Sequence, residues 1–401
     1  MVYLFIIGGF LCAVVTTMLL IPLICRVAFH QNWVDKPDGE RKLHARVTPT
    51  LGGVAIAGGY LVGMTYLALV RDYLPVDLVL PPWGIWVGAL VMIGAGVYDD
   101  IRGLGFKRKF LIQVVVAYLL MHGGYRIDVS GLPFIDLDPY QQALFSIPLT
   151  MLWVVGVINA INLLDGLDGL AAGVSVIAFA CLSLVFSIQG GLGIVLPALV
   201  IIGALAGFLV YNFNPASIFM GDSGSLFLGF MLAAYSLQGQ AHVDPVMAFL
   251  ILVVALGLPV LDASFSIVRR LINGKAIFSP DSDHIHHRMV RRWPQRRVVL
   301  ILYAIATVLG TVAVLMAVVI PTAGFLLFGV TIVMAAVGLY KLGYLREYIR
   351  PQLVRLGRPG LQDTKQSVET AKNGASGMQE KREETREVLR YESSELMPHE
   401  S

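Results

Sequence analysis

The chain of 401 residues is 56% hydrophobic and 14% charged, and its mean hydropathy of +0.73 excludes an ordinary soluble protein. A formal net charge of +3 is too small to suggest nucleic-acid binding. The three cysteines, Cys12, Cys25 and Cys181, lie in apolar runs without CxxC spacing, so they read as small core residues and not as a disulfide or metal framework.

In chain order, a window of about 19 residues picks out about eleven apolar spans. They fall near 3–26, 51–70, 82–98, 110–123, 142–159, 170–188, 194–211, 225–239, 246–268, 298–319 and 322–341. The predicted fold is therefore all-α, a polytopic integral membrane protein. The first span has no basic flank before it and no A-x-A site, and it is too long for a signal segment, so it reads as a retained helix. The fourth is short and is expected to extend into its flanks or to lie partly in the protein interior.

Basic residues gather after spans 1, 3 and 9, as in Lys36, Arg41, Lys42 and Arg46, in Arg102, Lys107, Arg108 and Lys109, and in the run from Arg269 to Arg297. The loops after spans 2, 4, 6, 8 and 10 hold only Arg71 and Arg126. The positive-inside rule then puts the N-terminus outside and the odd-numbered exits in the cytoplasm. Beyond residue 341 the composition turns to Glu, Lys, Arg, Ser and Gln. The predicted organisation is a membrane domain over 1–341 carrying every candidate site residue, and a polar cytoplasmic tail over 342–401. The tail is expected to be largely disordered, with a short helix near 379–391.

Four polar stretches fall on the same predicted face, where structural loops have no reason to gather acids, amides and histidines. Asp99-Asp100 precedes Arg102 and Lys107–Lys109, and adjacent carboxylates suit a hard cation beside phosphate-binding cations. The stretch 159–170, Asn-Ala-Ile-Asn-Leu-Leu-Asp-Gly-Leu-Asp-Gly-Leu, sets Asn159, Asn162, Asp165 and Asp168 between apolar runs, where ionisable groups are by default functional. On a helical turn Asp165 and Asp168 would share a face, and the two glycines admit close backbone approach; simple capping of the next helix would explain one acid only. In 211–225, Asp222 stands between two glycines beside Ser223, with Asn212 and Phe219 near it. The last stretch holds Asp281, Asp283, His284, His286, His287 and Arg288; with no cysteine and several arginines, it favours phosphate over a transition metal. Asp262, inside span 9, is expected to pair with Arg269 or Arg270. Carboxylates, histidines and arginines at a membrane face suit phosphoryl transfer; no Walker A loop, G-x-S-x-G or H-E-x-x-H is present.

In combination and order, Pro49-Thr-Leu-Gly-Gly53, Asp99-Asp100, the 159–170 stretch, Phe219-Met-Gly-Asp-Ser-Gly-Ser225 and His284-Ile-His-His-Arg288 make the chain resemble the bacterial polyprenyl-phosphate N-acetylhexosamine-1-phosphate transferases. The resemblance spans 36–288. It implies an inner-membrane, multi-pass enzyme with a cytosol-facing site, Mg²⁺ (or Mn²⁺) as cofactor, and no nucleic-acid partner. The substrates implied are a UDP-N-acetylhexosamine and undecaprenyl phosphate, and a homodimer is compatible with it. The His-Ile-His-His-Arg pattern is similar to that of the branch using UDP-N-acetylglucosamine, which starts teichoic acid, O-antigen lipopolysaccharide or common-antigen synthesis. The branch using UDP-N-acetylmuramoyl-pentapeptide carries three histidines in a row.

By that resemblance the expected catalytic set is Asp99, Asp100, Asp222 and His284. Asp222 is the expected Mg²⁺ ligand, with Asp99 and Asp100 near metal and lipid phosphate. Asn162, Asp165, Asp168, Asn212 and Phe219 would line the nucleotide side. His286, His287 and Arg288, with His284, would hold the pyrophosphate. Direct attack and a covalent enzyme intermediate both remain open. Two rivals stand beside it: an intramembrane prenyltransferase, which would leave the histidines without a task, and a secondary transporter, which favours midplane acids and internal repeats.

Overall fold

A computed structural model describes residues 2–37, 46–74, 76–130, 137–238, 244–272, 274 and 284–341. The helices are α1 Val2–Gln31, α2 Gly52–Leu69, α3 Trp83–Arg102, α4 Phe106–His122, α5 Pro139–Leu164, α6 Leu170–Ile188 and α7 Leu192–Asn212. They continue as α8 Gly221–Gln238, α9 Pro245–Ala255, α10 Gly257–Ile272, α11 Ile285–Val290, α12 Gln295–Val318 and α13 Pro321–Lys341. The only sheet among the described residues is a two-residue antiparallel pair, β1 Val34–Asp35 with β2 Thr48–Pro49. The fold is all-α and multi-pass, as expected from the apolar spans.

Residues 1–331 form one compact unit. In the second, 332–401, only the end of α13 is described, and the expected tail over 342–401 lies outside the described residues, as do Arg41, Lys42, Asp281 and Asp283. Eight described helices are long and apolar enough to cross a bilayer, nine if α9 and α10 count as one bent span. The expected spans outside that count are α4, with 17 residues, and α8.

The first unit is organised around α8. Every residue from Ser223 to Leu237 is buried, as befits a helix apolar on all sides, and α8 packs on α3 and α5. Within a bilayer lipid is as apolar as leucine, so close van der Waals fit and interhelical hydrogen bonds do the holding. Trp153 of α5 donates from Nε1 to Ser236 Oγ at 3.0 Å. Near the start of α8, a Cβ on Gly53 would stand 2.0 Å from Gly224 N, and one on Gly96 would stand 2.3 Å from the Ser223 Cα. The two glycines let α2 and α3 close on the backbone that carries Asp222. On the outside, α1 shows Leu4, Leu11, Val15, Leu19 and Leu23 at near-helical spacing, a face suited to lipid.

Two elements differ from the sequence expectation. The ninth span is not straight: α9 and α10 meet at 83°. Gly257 and Pro259 explain the break, since proline removes an N–H donor and clashes with the preceding turn. The fifth helix runs on to Leu164, so Asn159 and Asn162 are helical and the polar turn is reduced to 165–169. Its start is well specified, with Asp138 and Gln141 forming a capping box around Pro139.

Candidate active site

Several chain segments converge on an open cleft of about 360 Å³, within the range of small-ligand sites. Its polar lining includes Asp100, Asn162, Asp165, Asp168, Asp222 and His287. Asn212 and Phe219 also border it, together with Thr50 of the Pro49–Gly53 motif and with Asp35 and Gln295, which nothing in the sequence singled out.

Asp222 sits in the first turn of α8. Its Oδ1 accepts from Asn162 Nδ2 at 2.8 Å, and the same amide nitrogen lies 2.8 Å from Ser225 Oγ. Its Oδ2 is paired with the Lys109 ammonium, which also lies 2.6 Å from Asp99 Oδ2. Asp99 accepts at Oδ1 from the Leu104 N–H. Lys109 thus ties the ends of α3 and α8 together and offsets two carboxylates whose repulsion would otherwise be severe in a partly dry site. It stands in a Lys-Arg-Lys run, so spacing alone did not single it out.

Asp100 has a structural task as well as a place in the cleft. Its two oxygens accept from the Asp222 and Ser223 N–H groups at 2.8 and 3.0 Å, at a helix end that favours negative charge. Asp168 and Asn212 are likewise committed. Asp168 Oδ2 accepts from Asn214 Nδ2 at 2.9 Å and Ala216 N at 3.0 Å. Asn212 accepts from Gly169 N at 2.9 Å and donates to Ile218 O at 2.9 Å. These two join the turn after α5 to the segment before α8. Asp165 and Asp168 border one cleft without sharing a helical face, because the helix has ended; α6 is capped by Gly169 at φ 79°, with no side-chain cap. Asn159 faces away, exchanging hydrogen bonds with Gln113 of α4.

Asp165 is different in kind. No described residue donates to its carboxylate, and burial, then Asp222, Asp100 and Asp168, push its pKa well above the ordinary carboxylate value. Uncompensated oxygen charge beside Asp222 and Asp100 is chemistry that fits a hard divalent cation. Among the described residues no three such groups already converge at ligand distance, and Lys109 holds Asp222 and Asp99.

The histidines lie behind the cleft in a stack. His284 and His286 are parallel within 9° at 5.7 Å, and His286 lies 4.3 Å from His287, which reaches the cleft. His284 and His286 are buried. Burial, then His287, pushes His286 down to about 3, so it is neutral at ordinary pH. His286 Nε2 would stand 2.4 Å from a Cβ on Gly166; glycine beside Asp165 is what admits the ring. Asp262 does not pair with Arg269 or Arg270 as expected. Its oxygens take His284 Nδ1 and Ile285 N, because the bend before α10 turns it toward the histidine segment. A lone carboxylate in an apolar span needs a partner, and that was the available signal.

Residues 82–240 match the family model described as glycosyl transferase family 4. Among curated relatives, a Bacillus subtilis protein described as "Probable undecaprenyl-phosphate N-acetylglucosaminyl 1-phosphate transferase" is 37% identical over 78% of this chain and 85% of its own. A Mycobacterium tuberculosis decaprenyl-phosphate N-acetylglucosaminephosphotransferase is 34% identical over 66% of this chain and 71% of its own. A Listeria monocytogenes phospho-N-acetylmuramoyl-pentapeptide-transferase is 32% identical over 76% and 95%.

Proposed function

The chain belongs to glycosyl transferase family 4, the polyprenyl-phosphate sugar-1-phosphate transferases, and from that premise we propose that it transfers N-acetylglucosamine-1-phosphate from UDP-N-acetylglucosamine to undecaprenyl phosphate. The products are undecaprenyl-pyrophosphoryl-N-acetylglucosamine and UMP, at the cytosolic face of a bacterial inner membrane, as the first membrane step of a teichoic-acid or O-antigen type glycopolymer. The observation that carries this reading is the meeting of Asp222, Asn162, Asp165 and Asp100 in one cleft beside Lys109. Family membership as a phosphotransferase sets aside the prenyltransferase and transporter rivals. The Bacillus relative and the His284-Ile-His-His-Arg288 pattern support the N-acetylglucosamine donor.

In this reading an oxygen of the lipid phosphate attacks the β-phosphorus of the donor. The bond from that phosphorus to the bridging oxygen breaks, and the electron pair leaves with UMP. A phosphate monoester has its second pKa near 6, so the nucleophile is largely ionised at neutral pH and needs orientation more than a strong base. Asp99 at the end of α3 and Lys109 in the first turn of α4 do that work. Asp222, aimed by Asn162, would hold Mg²⁺ with Asp100 or Asp165 adjacent; bound there, the ion would neutralise charge developing on the phosphoryl oxygens. His287 and Arg288 would meet the pyrophosphate, while Phe219 borders the nucleotide.

The test is UMP release by the purified, detergent-solubilised protein with undecaprenyl phosphate, offered UDP-N-acetylglucosamine and UDP-N-acetylmuramoyl-pentapeptide separately. Release with the first donor only is expected; release with the second only overturns the branch assignment. In the same assay Asp222→Asn should lose turnover by at least about a hundredfold at limiting Mg²⁺. Parental turnover there would remove Asp222 from the metal.

A further inference from the structure

The chemistry above uses the histidine segment but gives Asp262 no task. Asp262 lies in α10, 2% exposed, and commits both oxygens to that segment. Oδ2 is 3.0 Å from His284 Nδ1, and Oδ1 accepts from Ile285 N at 2.9 Å. A buried carboxylate is strongly unfavourable unless donors satisfy it, and here both donors come from residues more than twenty positions along the chain.

The pairing decides the proton's place on the ring. Facing a carboxylate, Nδ1 carries the hydrogen, which leaves Nε2 turned the other way. That nitrogen is buried and has no protein partner among the described residues. From His284 the contacts run through the parallel His286 ring to His287, at the cleft wall. His286 also abuts Gly166, next to Asp165. The place of the whole stack therefore depends on where Asp262 holds its first member.

We propose that Asp262 is a positioning residue for the transfer reaction: by fixing the tautomer and place of His284 and the start of α11, it sets the histidine stack that faces the donor's diphosphate. The proposal rests on the transferase reading, which gives the histidines their ligand. A merely structural carboxylate would affect how much protein folds. A positioning carboxylate alters the kinetics of the folded molecules.

Asp262→Asn keeps the shape but presents one N–H₂ group where an acceptor stood, so either Nδ1 or Ile285 N loses its partner, or the ring changes tautomer. In the full-length, detergent-solubilised protein, kcat/KM for the nucleotide sugar should fall about tenfold or more. KM for undecaprenyl phosphate should stay within about twofold. His284→Asn retains a donor near the Nδ1 position and discards Nε2. It should fold and lose turnover comparably, and adding Asp262→Asn to it should cost less than about a further twofold. Unchanged constants in Asp262→Asn, or losses that multiply in the double variant, overturn the proposal. If Asp262→Asn yields no folded protein, His284→Asn decides alone, and parental turnover in it overturns the proposal. The parent is assayed first with both nucleotide donors. Release from neither would defeat the transferase reading itself; release by the parent with unaltered variants would defeat only the role of Asp262.

Discussion

Asp165 borders the cleft with Asp222 and Asp100, accepts no hydrogen bond from any described residue, and has its pKa pushed well above 3.8 by burial and by those neighbours. The folded state therefore binds this proton more tightly than the unfolded state does. Linkage then runs opposite to that of a salt-bridged acid. The folded protein bears no penalty below the unfolded value, and the penalty grows as pH rises through the raised folded value. Asp165→Asn removes the charge and keeps the shape, so it should raise the Tm at neutral pH while turnover falls, a stability gain at the expense of function. The Tm difference should shrink as pH is lowered toward 3.8. Mg²⁺ should raise the Tm of the parent more than that of the variant. Thermal unfolding in detergent across pH measures all three, and a variant less stable than the parent at neutral pH would refute the account. His286, pushed down to about 3 by burial, adds no positive charge at neutral pH.

At the scale of elements, the decisive arrangement is the end of α3 against the start of α8. Asp100 accepts from two consecutive N–H groups there, and Gly53 and Gly96 let α2 and α3 approach the same turn. An asparagine at 100 can accept at one atom only and would set N–H₂ against N–H at the other. Asp100→Asn should therefore cost about 1–3 kcal/mol of stability and displace Asp222, with turnover lost too. A fully stable variant that is merely inactive would assign Asp100 to substrate or metal alone. These helices were legible because the apolar runs are long and their polar ends are marked. Asp99-Asp100, Asn162, Asp165, Asp222 and His287 could be picked out as acids, an amide and a histidine placed where a bilayer segment does not tolerate them. The double duty of Asp100, Asp168 and Asn212 was not legible, since hydrogen bonds between distant segments have no periodic signature. The α9–α10 bend carried a signal in Gly257 and Pro259 but was masked by the unbroken apolar run. Without the bend, Asp262 pointed most simply at the arginines of its own helix.

Across the molecule, all the cleft residues belong to the unit spanning 1–331, and most of the cleft's acids and amides come from helix ends. Asp99 and Asp100 end α3, Asn162 and Asp165 end α5, Asn212 ends α7, and Asp222 starts α8. Consecutive helices of a multi-pass chain run in opposite directions, so the C-terminal ends of α3, α5 and α7 and the start of α8 fall on one side, the side on which Lys107, Arg108 and Lys109 also lie. The positive-inside rule supports the proposed cytoplasmic placement of that side, where a nucleotide sugar is available. The assignment is tested with Cys12, Cys25 and Cys181 replaced by serine and a single cysteine introduced at one of two exposed positions. Lys107 opens α4 and Ser130 follows the other end of that helix, so the proposed topology sets them on opposite sides. An impermeant maleimide applied to intact cells should label Ser130→Cys. It should label Lys107→Cys only after the membrane is opened. The reverse pattern would place the cleft, and with it the proposed UDP-sugar, on the outer face, where this donor is not supplied. It would invert the orientation read from the charges and leave the transferase without its substrate.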